Sequence, residues 1–206
     1  MKRALLAATA AIATVLVVPT LVVPTPAAHA ATITFTTVLS GALEVPPSGS
    51  PGTGSALVVL DTTAQTLFVD VTFSGLLGTT TASHIHCCVA SPFLNANGGV
   101  ATQVPTFTNL PLGVTSGSFT QLLDLTSAAS YNPAFITAEG GTVAGAEMAL
   151  ITGMESGESY LNIHTSVFPG GEIRGLLAPT PEPDSILLLG SGLVGIVCMR
   201  RRYSKI

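Results

Sequence analysis

Apolar and polar residues alternate along several short segments in the middle of the chain. The clearest case is residues 66–74, where Leu67, Val69, Val71 and Phe73 occupy one face. A period of two is typical of a half-buried β-strand. Further strands are predicted at 32–39, 55–60, 83–86, 118–125, 160–165 and 172–177. Clusters of Gly, Pro, Ser and Thr separate the segments, which indicates an all-β, antiparallel, Ig-like or Greek-key β-sandwich of about seven to eight strands.

The pattern changes to helical signals between residues 125 and 160. Asn132 is a good N-cap, and Pro133 suits the first helical position, with Gly140 as a stop. Thr142 caps a second predicted helix, which Gly153 would close. We therefore expect a short helical insertion that bridges two strands at one end of the sandwich.

The first 30 residues have the pattern of a secretory signal peptide. Lys2 and Arg3 form its charged region, residues 4–18 are apolar, and Ala28-His29-Ala30 is a small-residue cleavage site. A true transmembrane helix is the alternative, but prolines at 19, 24 and 26 break the run before it reaches the roughly 20 residues that a span needs. We expect signal peptidase to remove this helix, so that the mature chain starts near Ala31.

Residues 179–206 predict a sorting tail with a C-terminal transmembrane helix. Pro181-Glu182-Pro183 precedes an apolar stretch at 186–199, and Arg200, Arg201 and Arg202 follow it. Arginines after a short apolar helix stop translocation and stay in the cytoplasm. The tail resembles a PEP-CTERM sorting signal. That resemblance implies transient anchoring in the inner membrane, processing by an exosortase, and release to the envelope, the cell surface or the exterior. A plain tail anchor is the alternative.

Charge is low and unevenly distributed. Only 9% of the 206 residues are charged, and the formal net charge is -4. Between residues 31 and 180, nine acidic residues accompany one basic residue, Arg174, so that segment has a charge of -8 (one minus nine). This balance excludes a nucleic-acid binder that works through a basic surface.

Two groups of motifs in the middle segment resemble the CHRD domain. The first comprises Ser40-Gly41-Ala42-Leu43-Glu44-Val45-Pro46-Pro47 and Ala82-Ser83-His84-Ile85-His86; the second comprises Tyr160-Leu161-Asn162-Ile163-His164-Thr165 and Pro169-Gly170-Gly171-Glu172-Ile173-Arg174-Gly175. The resemblance covers roughly residues 33–178. It implies an all-β sandwich and no settled activity. The chain thus divides into a signal peptide at 1–30, a CHRD-like domain at 31–178 and a sorting tail at 179–206.

The three histidines of the expected mature domain all lie in these motifs. His84 and His86 are two apart on one strand face, with Cα atoms about 6.6–6.8 Å apart, and Ile85 suits the core. If the two motif strands are neighbours, His164 joins them in a cluster suited to Zn²⁺ or Cu²⁺. The alternatives are neutral rings hydrogen-bonded to the backbone and to Glu172 or Asn162, or direct contact with a ligand.

Two further pairs are candidates for chemistry. Glu172 and Arg174 share a strand face, where they form either a structural salt bridge or a site for a carboxylate or sugar acid. Cys87 and Cys88 stand where the CHRD pattern more often has a Gly-Pro type turn. They form a disulfide, bind a metal next to His86, or remain free or intermolecular thiols.

The chain contains no nucleophile elbow, phosphate loop or nucleotide fingerprint. We therefore expect an exported, surface- or matrix-associated, non-enzymatic binding or structural domain that is sorted by the exosortase route. Extracellular polysaccharide or envelope proteins are its expected partners. The alternative function is a metal-binding domain or metalloenzyme that uses the three-His cluster.

Overall fold

The computed structural model describes residues 32–89 and 96–180. The predicted signal helix and the predicted transmembrane helix of the tail lie outside these residues. Within the described part of the chain, no helix has the length and apolar character needed to cross a membrane. This part folds into an antiparallel sheet of eight strands with a few short helices. The all-β antiparallel class that the sequence predicts is confirmed.

The strands follow the alternating segments closely. They are β1 Thr32–Ser40, β2 Thr53–Asp61, β3 Thr66–Ser74, β4 Thr80–Cys87, β5 Gly99–Val100, β6 Gly117–Asp124, β7 Ser159–Thr165 and β8 Ile173–Leu177. Their order in the sheet is β5-β4-β7-β8-β1-β2-β3-β6. The sequence analysis missed β5, because two residues are too few to show a period.

The sheet curls into two halves that meet along a narrow junction. Within the described residues, the antiparallel pairing of β1 with β8 consists of one residue pair, Ser40 and Arg174. β3 connects directly to β4 in the other half, and the segment between β5 and β6 hydrogen bonds along the edge of β4 from Ile85 to Thr80. The two halves therefore enclose one apolar core, as the layers of a sandwich do.

Alternating side chains of β3 lie at the centre of this core. Leu67, Val69 and Val71 are fully buried, and Phe73 is 4% exposed. Thr72 lies between two of them and is exposed. β3 pairs with β2 on one side and with β6 on the other. The predicted core face of this strand is confirmed.

The helical insertion between β6 and β7 contains α1, Pro133–Ala138, and α2, Val143–Glu155. Both predicted N-caps are present. Oδ1 of Asn132 accepts the first free N–H of α1, and Oγ1 of Thr142 accepts the N–H of Gly145 in α2. Each cap satisfies a backbone donor that has no partner within its own helix.

The sequence predicted that Gly153 ends α2, and this prediction is wrong. The helix continues to Glu155. The role of Gly153 is packing. A Cβ at this position would lie 2.3 Å from Sγ of Cys87 and 2.4 Å from Sγ of Cys88. Only glycine therefore allows α2 to approach the end of β4. The residue with positive φ after the helix is Gly157, at 69°.

Candidate metal centre

The pairing of β4 with β7 brings the three histidines to one face of the sheet. His84 lies opposite Asn162, and His164 lies opposite Ala82. His86 follows on the same face of β4, two residues after His84. The residues between them point into the core and are fully buried: Ile85, Leu161 and Ile163. The face assignment made from the sequence therefore agrees with the structure.

Each histidine ring is anchored at one nitrogen by a backbone carbonyl. The three bonds run from Nε2 of His84 to Pro105 at 2.7 Å, from Nδ1 of His86 to Gly98 at 2.9 Å, and from Nδ1 of His164 to Pro169 at 2.8 Å. A carbonyl oxygen only accepts, so the anchored nitrogen carries the proton of a neutral ring. The other nitrogen of every ring is then an acceptor with a free lone pair.

The three rings bring ligand atoms close together. One ligand atom from each of His84, His86 and His164 lies within 4.8 Å of the other two. Nδ1 of His84 is 3.4 Å from Nε2 of His164. A tetrahedral Zn²⁺ with bonds of about 2.0–2.1 Å places its nitrogen ligands roughly 3.3–3.4 Å apart. This pair of nitrogens therefore has the spacing of two ligands on one metal ion.

Burial keeps these rings neutral. His84 and His86 are 6% and 7% exposed. Burial, together with repulsion by the charged form of His164, lowers the pKa of each to about 4, although the hydrogen bond to the backbone carbonyl opposes the shift. Burial also lowers the pKa of His164. At neutral pH the rings are therefore in the form that binds a metal ion.

A stack of side chains positions His86. The Tyr160 ring lies parallel to the His86 ring, with centroids 4.7 Å apart, and the guanidinium carbon of Arg174 lies 4.6 Å from the Tyr160 centroid. The Tyr160 hydroxyl accepts the N–H of Gly98, whose carbonyl anchors His86. The His86 ring is thus fixed at its face and at Nδ1.

Glu172 and Arg174 have separate partners. Burial alone would raise the pKa of Glu172, but four hydrogen bonds hold it below its usual value. They come from the hydroxyls of Ser50 and Thr165 and from the N–H groups of Leu77 and Gly78. Arg174 is fully buried and donates to the carbonyls of Leu43 and Ala96 and to Oδ1 of Asn97. Glu172 therefore anchors the β3–β4 connection, whereas Arg174 anchors loops beside the histidines.

Cys87 and Cys88 form a disulfide at the end of β4. Cys87 is buried and Cys88 is exposed. Sγ of Cys88 lies 3.4 Å from the carbonyl oxygen of Ala149 in α2. The two sulfur atoms are bonded to each other, so neither is a thiolate ligand in this state.

Glu44 and Tyr160 are site side chains that the sequence analysis did not single out. Both lie in motifs that carry the family resemblance. Glu44 follows a short 3-10 turn, Gly41–Leu43, and is 5% exposed. Burial raises the pKa of Glu44 to about 7, although the charge of Arg174 opposes the shift. A perturbed carboxyl of this kind is a common sign of a functional site, but burial cannot be read from one acidic residue in a loop.

Comparison with known proteins assigns the family. A family model of the CHRD domain matches residues 35–177, and a model of the PEP-CTERM protein-sorting motif matches residues 179–202. The chain therefore belongs to the CHRD domain family, and its sorting motif marks it as an exported protein of the exosortase route. The sorting residues themselves lie outside the described part of the chain. No curated protein and no solved structure matches the chain.

Proposed function

We propose that the domain is an exported, non-enzymatic binding domain that holds one divalent transition-metal ion, Zn²⁺ or Cu²⁺, on His84, His86 and His164. One observation carries this proposal: carbonyls anchor one nitrogen of every ring, the opposite nitrogens of His84 and His164 lie 3.4 Å apart, and a ligand atom of His86 lies within 4.8 Å of both residues. Metal-binding histidines usually donate their second N–H to such a partner, which fixes the tautomer and the ring orientation. Imidazole nitrogens suit both ions.

A purely hydrogen-bonded cluster accounts for less of this geometry. A hydrogen between Nδ1 of His84 and Nε2 of His164 requires one ring to be doubly protonated or to lose its carbonyl bond. Burial disfavours the doubly protonated form. Nε2 of His86 makes no well-formed hydrogen bond within the described residues, although the Asn162 side chain lies near enough to raise the pKa of that ring. A metal ion satisfies all three nitrogens without moving a proton.

Metal binding is expected to be stoichiometric and to stabilise the fold. We expect the full-length chain to bind one Zn²⁺ or Cu²⁺ in equilibrium dialysis at neutral pH. An excess of a hundredfold over the dissociation constant adds about 2.7 kcal/mol to the free energy of unfolding. That corresponds to a rise of several degrees in melting temperature for a domain of this size.

His84→Ala is expected to abolish both the stoichiometric binding and the thermal shift, because one ligand is lost. His29→Ala is the matched control, since His29 belongs to the predicted signal peptide, and it is expected to change neither. A wild-type chain that shows no metal-dependent shift would refute the proposal. Unfolding of His84→Ala without metal would assign that ring a structural role instead.

The export route completes the proposed function. Signal peptidase removes residues 1–30, the tail anchors the chain transiently in the inner membrane, and exosortase then processes the tail. The mature domain resides in the envelope, at the surface or outside the cell, where extracellular polysaccharide or envelope proteins are its partners. The sequence pattern at the N-terminus and the match to the sorting motif support this route.

Processing at both ends is expected to be visible in the mass of the native protein. Protein recovered from its own cells should start near Ala31 and should lack Arg200, Arg201 and Arg202. Intact-mass spectrometry measures both changes together. Recovery of a chain that carries both Lys2 and Arg202 would contradict this route.

A further inference from the structure

Residues 178–180, which follow β8, form a short extended segment that pairs with β1. We call this segment the strap. Phe35 and Pro179 form an antiparallel bridge, and the N–H of Thr180 donates to the carbonyl of Thr34 at 2.7 Å. The match to the sorting motif begins at Pro179. The fold and the sorting signal therefore overlap, with no linker between them.

The strap continues the pairing of β8 with β1. The bridge between Phe35 and Pro179 lies five residues along each strand from the pair Ser40 and Arg174, so both contacts share one antiparallel register. The strap thus takes its place in the sheet once β1 and β8 have paired. It runs from the end of β8 towards Thr32, the first residue of β1.

The strap is held to β1 weakly. Its three residues are exposed. Besides the bridge and the backbone hydrogen bond, it contacts β1 where the hydroxyl oxygens of Thr36 and Thr180 lie 3.3 Å apart. A segment held by exposed hydrogen bonds, without a buried apolar side chain of its own, belongs to the part of a fold that opens most readily. The strap therefore opens while the core stays folded.

A very short linker joins the strap to the predicted membrane helix. Only residues 181–185 separate the strap from the apolar stretch at 186–199. Five residues span at most about 18 Å when fully extended, and three of them are the Pro181-Glu182-Pro183 motif. While the tail is anchored and the strap is closed, the motif therefore lies in a narrow gap between the folded domain and the bilayer. Release of the strap adds three residues and extends the reach to about 29 Å.

We propose that the strap gates the processing of the tail, so that the exosortase reaches the Pro-Glu-Pro motif only in chains whose strap has left β1. This inference rests on the proposed export route. Extended peptides are usually recognised through their backbone N–H and C=O groups, and Thr34 already binds the N–H of Thr180 next to the motif. Processing of a transiently opened segment follows the population of its open form. The folded domain therefore stays anchored for a time that the strap sets.

A spacer between the strap and the motif tests the proposal in the native cells. Insertion of Gly-Ser-Gly-Ser between Thr180 and Pro181 leaves the strap on β1 and lengthens the linker from five to nine residues. Since the motif no longer needs the strap to open, we expect the tail to be processed at least about threefold faster than in wild type. Pulse-chase labelling with intact-mass detection measures the rate.

The same insertion between Gly140 and Gly141 is the matched control. Both glycines are exposed between α1 and α2, and a Cβ at either position would meet no atom within 4 Å. This control lengthens the chain by the same four residues without changing the linker to the tail. We expect it to be processed at the wild-type rate.

Thr180→Pro is the second test variant, because proline lacks the N–H that binds Thr34. We expect faster processing than in wild type, as with the spacer. Thr180→Val retains the N–H and is the matched control at this position, so its rate is expected to stay close to that of wild type.

Equal processing rates in wild type, the spacer variant and Thr180→Pro would overturn the gate. Acceleration by the spacer with Thr180→Pro at the wild-type rate would overturn it as well, because linker length and not the strap would then limit access. Slower processing of both variants would show that the strap presents the motif, the opposite role. A wild-type chain that keeps its tail in these cells refutes the export route itself, a different outcome.

Discussion

Replacing Val71 by aspartate is expected to leave the domain unfolded. Val71 is fully buried at the centre of β3. The change removes an apolar side chain worth roughly 1.5–3 kcal/mol and buries a carboxylate with no partner, which costs several kcal/mol more. Natural domains are stable by only about 5–15 kcal/mol. Circular dichroism and urea unfolding of the purified variant measure the loss.

Thr72→Asp is the matched control, since it places the same side chain on the exposed face of the same strand. Surface substitutions of this kind usually change stability by about 0.5 kcal/mol or less. We therefore expect a cooperative unfolding transition close to that of wild type. If both variants fold equally well, β3 does not contribute its alternate residues to the core.

The metal-free domain is expected to lose stability as the pH falls below about 6.5. The pKa values of His84 and His86 are about 4 in the fold, against the usual 6.5 in the unfolded chain. Between these values the unfolded state binds more protons, so acid favours unfolding. Each ring contributes roughly 3 kcal/mol across the whole interval. Glu44 acts in the opposite direction, because its folded pKa of about 7 lies above the usual 4.5.

Urea unfolding at about pH 8 and about pH 4.5, with a chelator present, measures the difference. We expect wild type to be less stable at the lower pH by a few kcal/mol. Glu44→Gln lacks the opposing contribution, so its loss is expected to be larger by about 3 kcal/mol. If the metal-free domain is equally stable at both pH values, the histidine rings are protonated in the folded state as readily as in the unfolded state.

Local patterns in the sequence account for most of the fold. The alternation of residues 66–74 predicts both the bounds and the core face of β3, because side chains of a strand alternate strictly. Asn132 and Thr142 predict the starts of both helices, because caps act within a few residues. Gly153 led to a wrong prediction of the helix end. A glycine is required there because the helix packs against two sulfur atoms that are distant in sequence, and not because the helix stops.

The candidate site could be predicted only in part. The spacing of His84 and His86 places them on one face, but their approach to His164 depends on the pairing of β4 with β7. The carbonyls of Gly98, Pro105 and Pro169 come from loops, and no side-chain pattern marks a backbone acceptor. Glu44 reaches the site from the other half of the sheet, so only the folded chain shows it as a neighbour.

Burial of Arg174 limits where proteases that cleave after lysine or arginine can cut this protein. It is the only basic residue between residues 31 and 180, and its side chain is fully buried. A protease that cleaves after lysine or arginine therefore has no accessible bond in the folded domain. Its cleavage sites lie at the two ends of the chain, at Lys2, Arg3 and the basic tail. Digestion of this kind trims the ends and leaves the CHRD domain in one piece.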